Sequence, residues 1–178
     1  MNMVTSPEQV LLGYLQQHAE LELSYDRAGT GSWVHRTVYS LLLGHGQWHV
    51  PAPLPGHVDP LPERACFVNA QRTELVCPSL TYAEGWAIAG AETVPAQHAW
   101  CVTDEGVVVD PTWVRFGGRR VYFGIVLADP LLRPGADGDG VPAHPSTLFP
   151  VLRDGLRLEA PAGSAAAGGR GRSVRRAF

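Results

Sequence analysis

Three short motifs follow one another between Cys66 and Trp113: Cys66-Phe67-Val68-Asn69-Ala70, His98-Ala99-Trp100 and Val109-Asp110-Pro111-Thr112-Trp113. A thiol, an imidazole and a carboxylate are the parts of a nucleophilic cysteine site. The thiolate attacks a carbonyl carbon, the imidazole handles its proton, and the carboxylate fixes the imidazole tautomer. Attack on an amide releases ammonia or an amine, and water or a second amine then resolves the thioester. Each residue alone has an ordinary structural use: free cysteine behaves as a small buried hydrophobe, and Asp before Pro commonly starts a turn. Cys77, at a helix end, and Cys101, on the strand face opposite His98, keep that ordinary reading.

The elements that must position these groups can be read around them. Ser6-Pro7-Glu8-Gln9 starts a first helix with a capping-box pattern, and Val10, Leu11, Tyr14, Leu15 and His18 supply its apolar stripe. A second helix is expected over Val34 to Leu43, ending at Gly44 and Gly46. Five prolines between Val50 and Pro62 make that stretch an extended loop. A third helix is expected from about Pro62 to Val76, with Cys66 near its start, where unpaired N–H groups and the helix dipole favour a thiolate. Strands follow at Leu80 to Ile88, Gln97 to Thr103, Val107 to Asp110 and Arg120 to Leu127, with a brief helix near Ser146 to Leu152.

The second and third of these strands form a hairpin whose register decides the chemistry. If Asp104-Glu105-Gly106 is a three-residue turn with Gly106 in the left-handed region, Thr103 pairs with Val107 and Trp100 with Asp110. Asp110 then lies diagonally beside His98 on one face, with Cβ atoms roughly 7 Å apart, within reach of a hydrogen bond. A two-residue loop would pair Asp110 with Cys101 and turn it away. For the oxyanion, the Cys66 backbone N–H is one donor, and Gln47 is a candidate side-chain donor. Asn69 either orients the loop or the substrate, or makes helix-to-loop hydrogen bonds. Trp100 and Trp113 are candidates to wall the site, with core packing the alternative use.

Tyr82-Ala83-Glu84-Gly85-Trp86-Ala87, His98-Ala99-Trp100 and Asp110-Pro111-Thr112, following a helical cysteine, resemble the transglutaminase-like division of the papain-like cysteine enzymes. The resemblance covers roughly Cys66 to Gly124. It implies an α+β fold in which a helix bearing the nucleophilic cysteine packs on a small antiparallel sheet, with Cys66 as nucleophile, His98 as base and Asp110 as orienting acid. One departure is the approach to the cysteine, Pro62-Glu63-Arg64-Ala65, where that family usually has glycines. The implied activity is that of a cysteine-dependent amidohydrolase or acyltransferase: a glutamine deamidase, a transglutaminase or a peptidase. An inactive interaction module of the same fold is the alternative.

Composition bounds these readings. A chain of 178 residues, 45% hydrophobic and 17% charged, has the length of one globular domain, expected over 1–159 with its core at about 62–127. Residues 160–178 are low in complexity and are expected to form a disordered tail. All fourteen basic residues are Arg. Four of them fall in that tail, which has no acidic residue, so the body carries ten basic against seventeen acidic residues. The body is acidic and no aromatic residue is interleaved among the arginines of the tail, which argues against nucleic acid as a partner. The expected partner is a protein or peptide offering an amide side chain or peptide bond, and the motifs call for no cofactor and no metal. With no signal-peptide pattern, no apolar run of membrane length and three cysteines that cannot all pair, a reducing cytoplasmic setting is expected.

Overall fold

In the computed structural model, residues 6–25, 30–90, 94–116, 118–129, 132, 140 and 145–156 are described. The expected tail at 160–178 lies outside them. Among the described residues, four helices and five strands form an α+β fold around one curled antiparallel sheet.

Helix α1 (Pro7–Ser24) begins as its sequence demands: the Gln9 amide donates to the Ser6 hydroxyl, and Ser6 N–H donates back to the Gln9 side chain. Its buried stripe is Leu11, Leu15 and Ala19. Helix α2 (Val38–His45) starts four residues later than the apolar pattern suggests. The amides of Val34 and His35 instead donate to the carbonyls of Arg153 and Leu152, and Thr37 caps the helix in extended geometry with Ser40 completing a capping box. These bonds hold residues 34–37 out of the helix, which then runs through Gly44 to a cap at Gly46.

Strand β1 (Gln47–His49) is followed by the proline-rich loop and helix α3 (Cys66–Val76). This helix also starts four residues later than the sequence pattern predicts, because Arg64 adopts φ +66°, a left-handed conformation that ends any helical path from Pro62. Strands β2 (Thr81–Ala89), β3 (Ala96–Val102), β4 (Val108–Val109) and β5 (Arg120–Val126) follow, with helix α4 (Pro145–Asp154) after them.

The sheet order is β1-β5-β2-β3-β4, all neighbours antiparallel. It curls until its two edges meet: Val50 N–H donates to the Gly106 carbonyl and Val108 N–H to the Val50 carbonyl, a parallel bridge between Val50 and Val107. The convex face carries Tyr82, Trp86, Ile88, Ala99, Cys101, Phe123 and Ile125 against the apolar sides of α1, α2, α3 and α4, forming the larger core. The concave face holds Ala83, Ala87, Trp100, Val102, Val108 and Tyr122. Room for the Trp100 indole comes from Gly124, which pairs with Gly85: a Cβ on Gly124 would lie 2.7 Å from the Trp100 ring and 2.2 Å from the Glu84 carbonyl. All three cysteines are free, and Cys101 Sγ donates to the Ala70 carbonyl at 3.1 Å, which ties α3 to β3.

Candidate functional site

The hairpin register determines whether the imidazole meets the carboxylate, and it is the three-residue one. Gly106 has φ +75°, Gly106 N–H donates to the Thr103 carbonyl, and Thr103 N–H donates to Val107 at 3.0 Å. Cys101 pairs with Val109 and Val102 with Val108, which sets Asp110 diagonally beside His98 on the concave face. His98 Nε2 and Asp110 Oδ2 are 2.8 Å apart, and both side chains are 1% exposed.

Asp110 is saturated with donors. Oδ2 also accepts the Tyr122 hydroxyl at 3.0 Å, while Oδ1 accepts the backbone N–H groups of Thr112 (2.9 Å) and Trp113 (3.2 Å). Burial opposes its charge, but the hydrogen bond and charge of His98, with the two backbone amides, outweigh burial and hold the carboxyl below its ordinary range. Burial likewise disfavours a charged His98. The hydrogen bond with Asp110, the neighbouring Cys66 side chain and the charges of both overcome that penalty and raise the imidazole to about 9. With Nε2–H directed to the carboxylate, Nδ1 is the nitrogen left for the thiol.

Cys66 is the first residue of α3 and is half-buried. Helices α1 and α2 both carry complete capping boxes, whereas the α3 N-cap, Ala65, supplies no side-chain hydrogen bond. The first intrahelical bond is Asn69 N–H to Ala65 O, so the N–H groups at the cysteine have no partner within the helix. Asn69, 1% exposed, uses its side-chain nitrogen to clamp two segments, donating to the Pro62 carbonyl at 2.7 Å and to Thr112 Oγ1 at 3.0 Å. Leu61 N–H to Pro111 O adds a second tie between the same segments. The approach to Cys66 is thus fastened to the turn that follows Asp110.

The supporting residues expected from sequence divide. Asn69 is a clamp between helix and loop, its amide already committed. Gln47 is not brought to the cysteine: it sits exposed on edge strand β1, in a row Gln47, Gly124, Gly85, His98 that crosses two strands, and lines a groove with the turn residues Asp104 to Gly106. Trp100 is fully buried, and its indole N–H donates to His49 Nδ1 at 2.9 Å, so of its two expected uses it has that of core packing. Trp113 is the wall, stacked on the His98 ring at 3.8 Å between centroids and 15° between planes.

Sequence reasoning missed Tyr122, His49 and Arg120. His49 is buried, which lowers its basicity and keeps it a neutral acceptor for Trp100. Arg120 donates to the Trp113 carbonyl at 3.3 Å. Strand alternation puts Arg120 and Tyr122 on one face, but only the sheet order shows that this face meets Asp110. On the convex side, Tyr82 donates its hydroxyl to the buried carboxylate of Glu84, and burial followed by the Glu84 charge pushes the phenol upward. Beside the cysteine's approach, a cleft of about 450 Å³ is lined by Pro60, Leu61, Pro62, Glu63, Pro111, Thr112, Val114 and Arg115.

Among the described residues, no group of three or more His, Cys, Asp and Glu side chains is arranged to hold a metal ion, and no helix is long and apolar enough to cross a membrane. Comparison with known proteins found no matching family, no matching curated protein and no matching solved structure.

Proposed function

We propose that this chain is a cysteine-dependent amidohydrolase or acyltransferase of the transglutaminase-like, papain-like kind, with Cys66 as nucleophile, His98 as acid–base group and Asp110 as its orienting carboxylate. The observation that carries the reading is the buried 2.8 Å bond between His98 Nε2 and Asp110 Oδ2, formed on an imidazole that also interacts with Cys66. A carboxylate fixed by four donors defines one tautomer, and that tautomer presents Nδ1 to the thiol.

In this scheme His98 Nδ1 already holds the proton taken from Cys66, and the sulfur attacks the amide carbon of a glutamine side chain or peptide bond. The tetrahedral oxyanion lies at the uncapped start of α3, where backbone N–H groups stabilise it. His98 returns the proton to the departing nitrogen, ammonia or an amine leaves, and a thioester on Cys66 remains. Water or a second amine, deprotonated by His98, then attacks the thioester and frees the thiol. Trp113 covers one face of the imidazole and keeps solvent from it. The cleft lined by Pro62, Glu63, Thr112 and Arg115 offers a protein or peptide substrate an approach along the clamp between the two segments.

The test is alkylation by iodoacetamide with each thiol followed by mass spectrometry. Cys66 should react faster than Cys77 and Cys101, and His98→Ala should slow it by tenfold or more. Equal slow labelling of all three thiols would leave the fold as a non-catalytic interaction module.

A further inference from the structure

The concave face contains a buried hydroxyl that the scheme above does not use. Tyr122 on β5 is 1% exposed, and its hydroxyl donates to Asp110 Oδ2, the same oxygen that receives His98 Nε2–H. We infer that Tyr122 is a positioning residue of the site: it locks the carboxylate against rotation and, by sharing Oδ2 with His98, moderates the pull that Asp110 exerts on the imidazole. The inference rests on the reading of Cys66, His98 and Asp110 given above.

Geometry makes the sharing unavoidable. Oδ1 is taken by the Thr112 and Trp113 amides, which fix the carboxylate plane from the chain itself. Oδ2 then has two donors at 2.8 and 3.0 Å. Charge drawn toward one is withdrawn from the other, so a carboxylate that also holds Tyr122 is a weaker acceptor for His98. Burial, then the charge and hydrogen bond of Asp110, push the Tyr122 phenol upward, so it remains a donor throughout the range in which His98 titrates. Arg120, two residues earlier on the same strand face, interacts with the Tyr122 hydroxyl and holds the Trp113 carbonyl, so it braces both the tyrosine and the indole stacked on His98. The titratable and charged groups facing the pair are therefore Cys66 from α3 and Tyr122 and Arg120 from β5, with His49 of β1 behind the Trp100 ring.

The experiment uses the full chain with ¹³C-labelled histidine. The His98 resonance is identified by its loss in His98→Ala, and its titration is followed in wild type, Tyr122→Phe and Arg120→Gln, with the pH profile of Cys66 alkylation by iodoacetamide measured in parallel. Phenylalanine keeps the ring packed between Trp100 and Trp113 and removes only the donor. Losing one hydrogen bond to Oδ2 should raise the His98 midpoint by about 0.5–1 pH unit. Arg120→Gln should shift it in the same direction by less, and the alkylation profile should move with both. A purely structural tyrosine would lower the unfolding temperature and leave both profiles superimposed on wild type, which overturns the inference. Should Tyr122→Phe fold poorly, 3-fluorotyrosine at position 122, a stronger donor on a ring of nearly the same shape, decides the matter by lowering the His98 midpoint. If His98→Ala leaves Cys66 alkylation unchanged, the catalytic reading itself fails; if that dependence holds while Tyr122→Phe and Arg120→Gln shift nothing, only the role of Tyr122 falls.

Discussion

Replacing Asp110 by Asn removes a charge from a polar pair whose side chains are each 1% exposed, and the effect on stability depends on pH. In wild type, His98 is raised from 6.5 to about 9, by the Asp110 hydrogen bond and by the Asp110 and Cys66 side chains, which overcome burial. A group raised on folding contributes stability that is fully present below its unfolded value and is lost as pH rises through its folded value. That difference of about 2.5 units, at 1.36 kcal/mol per unit, corresponds to about 3 kcal/mol below pH 6, with about half gone near pH 7.8 and nearly all gone by pH 10. Asp110 acts in the opposite direction: held below its ordinary value, it contributes above the unfolded value of 3.8, and the contribution fades as pH falls through its folded value. Asparagine keeps an acceptor for the Thr112 and Trp113 amides but presents no charge to His98, so Cys66 alone opposes burial and the imidazole titrates lower. Urea unfolding followed by tryptophan fluorescence from pH 5 to pH 10 gives the difference between the two proteins. The wild-type advantage should fall by up to about 3 kcal/mol between pH 6 and pH 10, leaving at pH 10 the share that the Asp110 charge contributes through the Thr112 and Trp113 amides. Parallel stability curves across that interval would refute the assignment of a charged His98–Asp110 pair.

Two other perturbations separate the clamp from the scaffold. Asn69→Ala leaves the Pro62 carbonyl and Thr112 hydroxyl without their buried donor and should cost about 2 kcal/mol in denaturant unfolding, while slowing Cys66 alkylation severalfold because the approach to the cysteine is no longer fastened. Gly106→Ala meets no atom within 4 Å and costs only the left-handed backbone, about 1 kcal/mol. Gly124→Ala puts a methyl 2.2 Å from the Glu84 carbonyl and should cost about 3 kcal/mol or more, or prevent folding, as read by the urea midpoint. Equal costs at the two glycines would contradict the described packing of Trp100 against β5.

The parts of the site that were legible in the sequence are those separated by a short stretch of chain. His98 and Asp110 are twelve residues apart and joined by a turn whose glycine fixes its type, so period-two alternation suffices to place them together. Ser6 and Gln9 announce α1 by a bond between near neighbours. Pro62 and Glu63 have the composition of a helix start, yet α3 waits for Cys66, because the left-handed turn at Arg64 is imposed by ties to Thr112 and Pro111, some fifty residues on in the chain. Val34 and His35 fail as a helix for a related reason: their amides are claimed by carbonyls of α4. Tyr122 could not be placed because β5 lies between β1 and β2, an order that no local pattern dictates. Gln47 illustrates the converse, a residue of suitable chemistry set on the far edge by that same order.

The closure of the sheet has a consequence for how the protein behaves among its own copies. An open sheet edge presents a row of unpaired amides and carbonyls on which another chain can add itself, and long edges nucleate aggregation. Here the edge strands β1 and β4 are three and two residues long, and they are fastened to each other through Val50, Gly106 and Val108. The longer and more apolar strands β2, β3 and β5 all lie inside the sheet. At high concentration, the segments best suited to intermolecular pairing are thereby kept out of reach while the protein is folded.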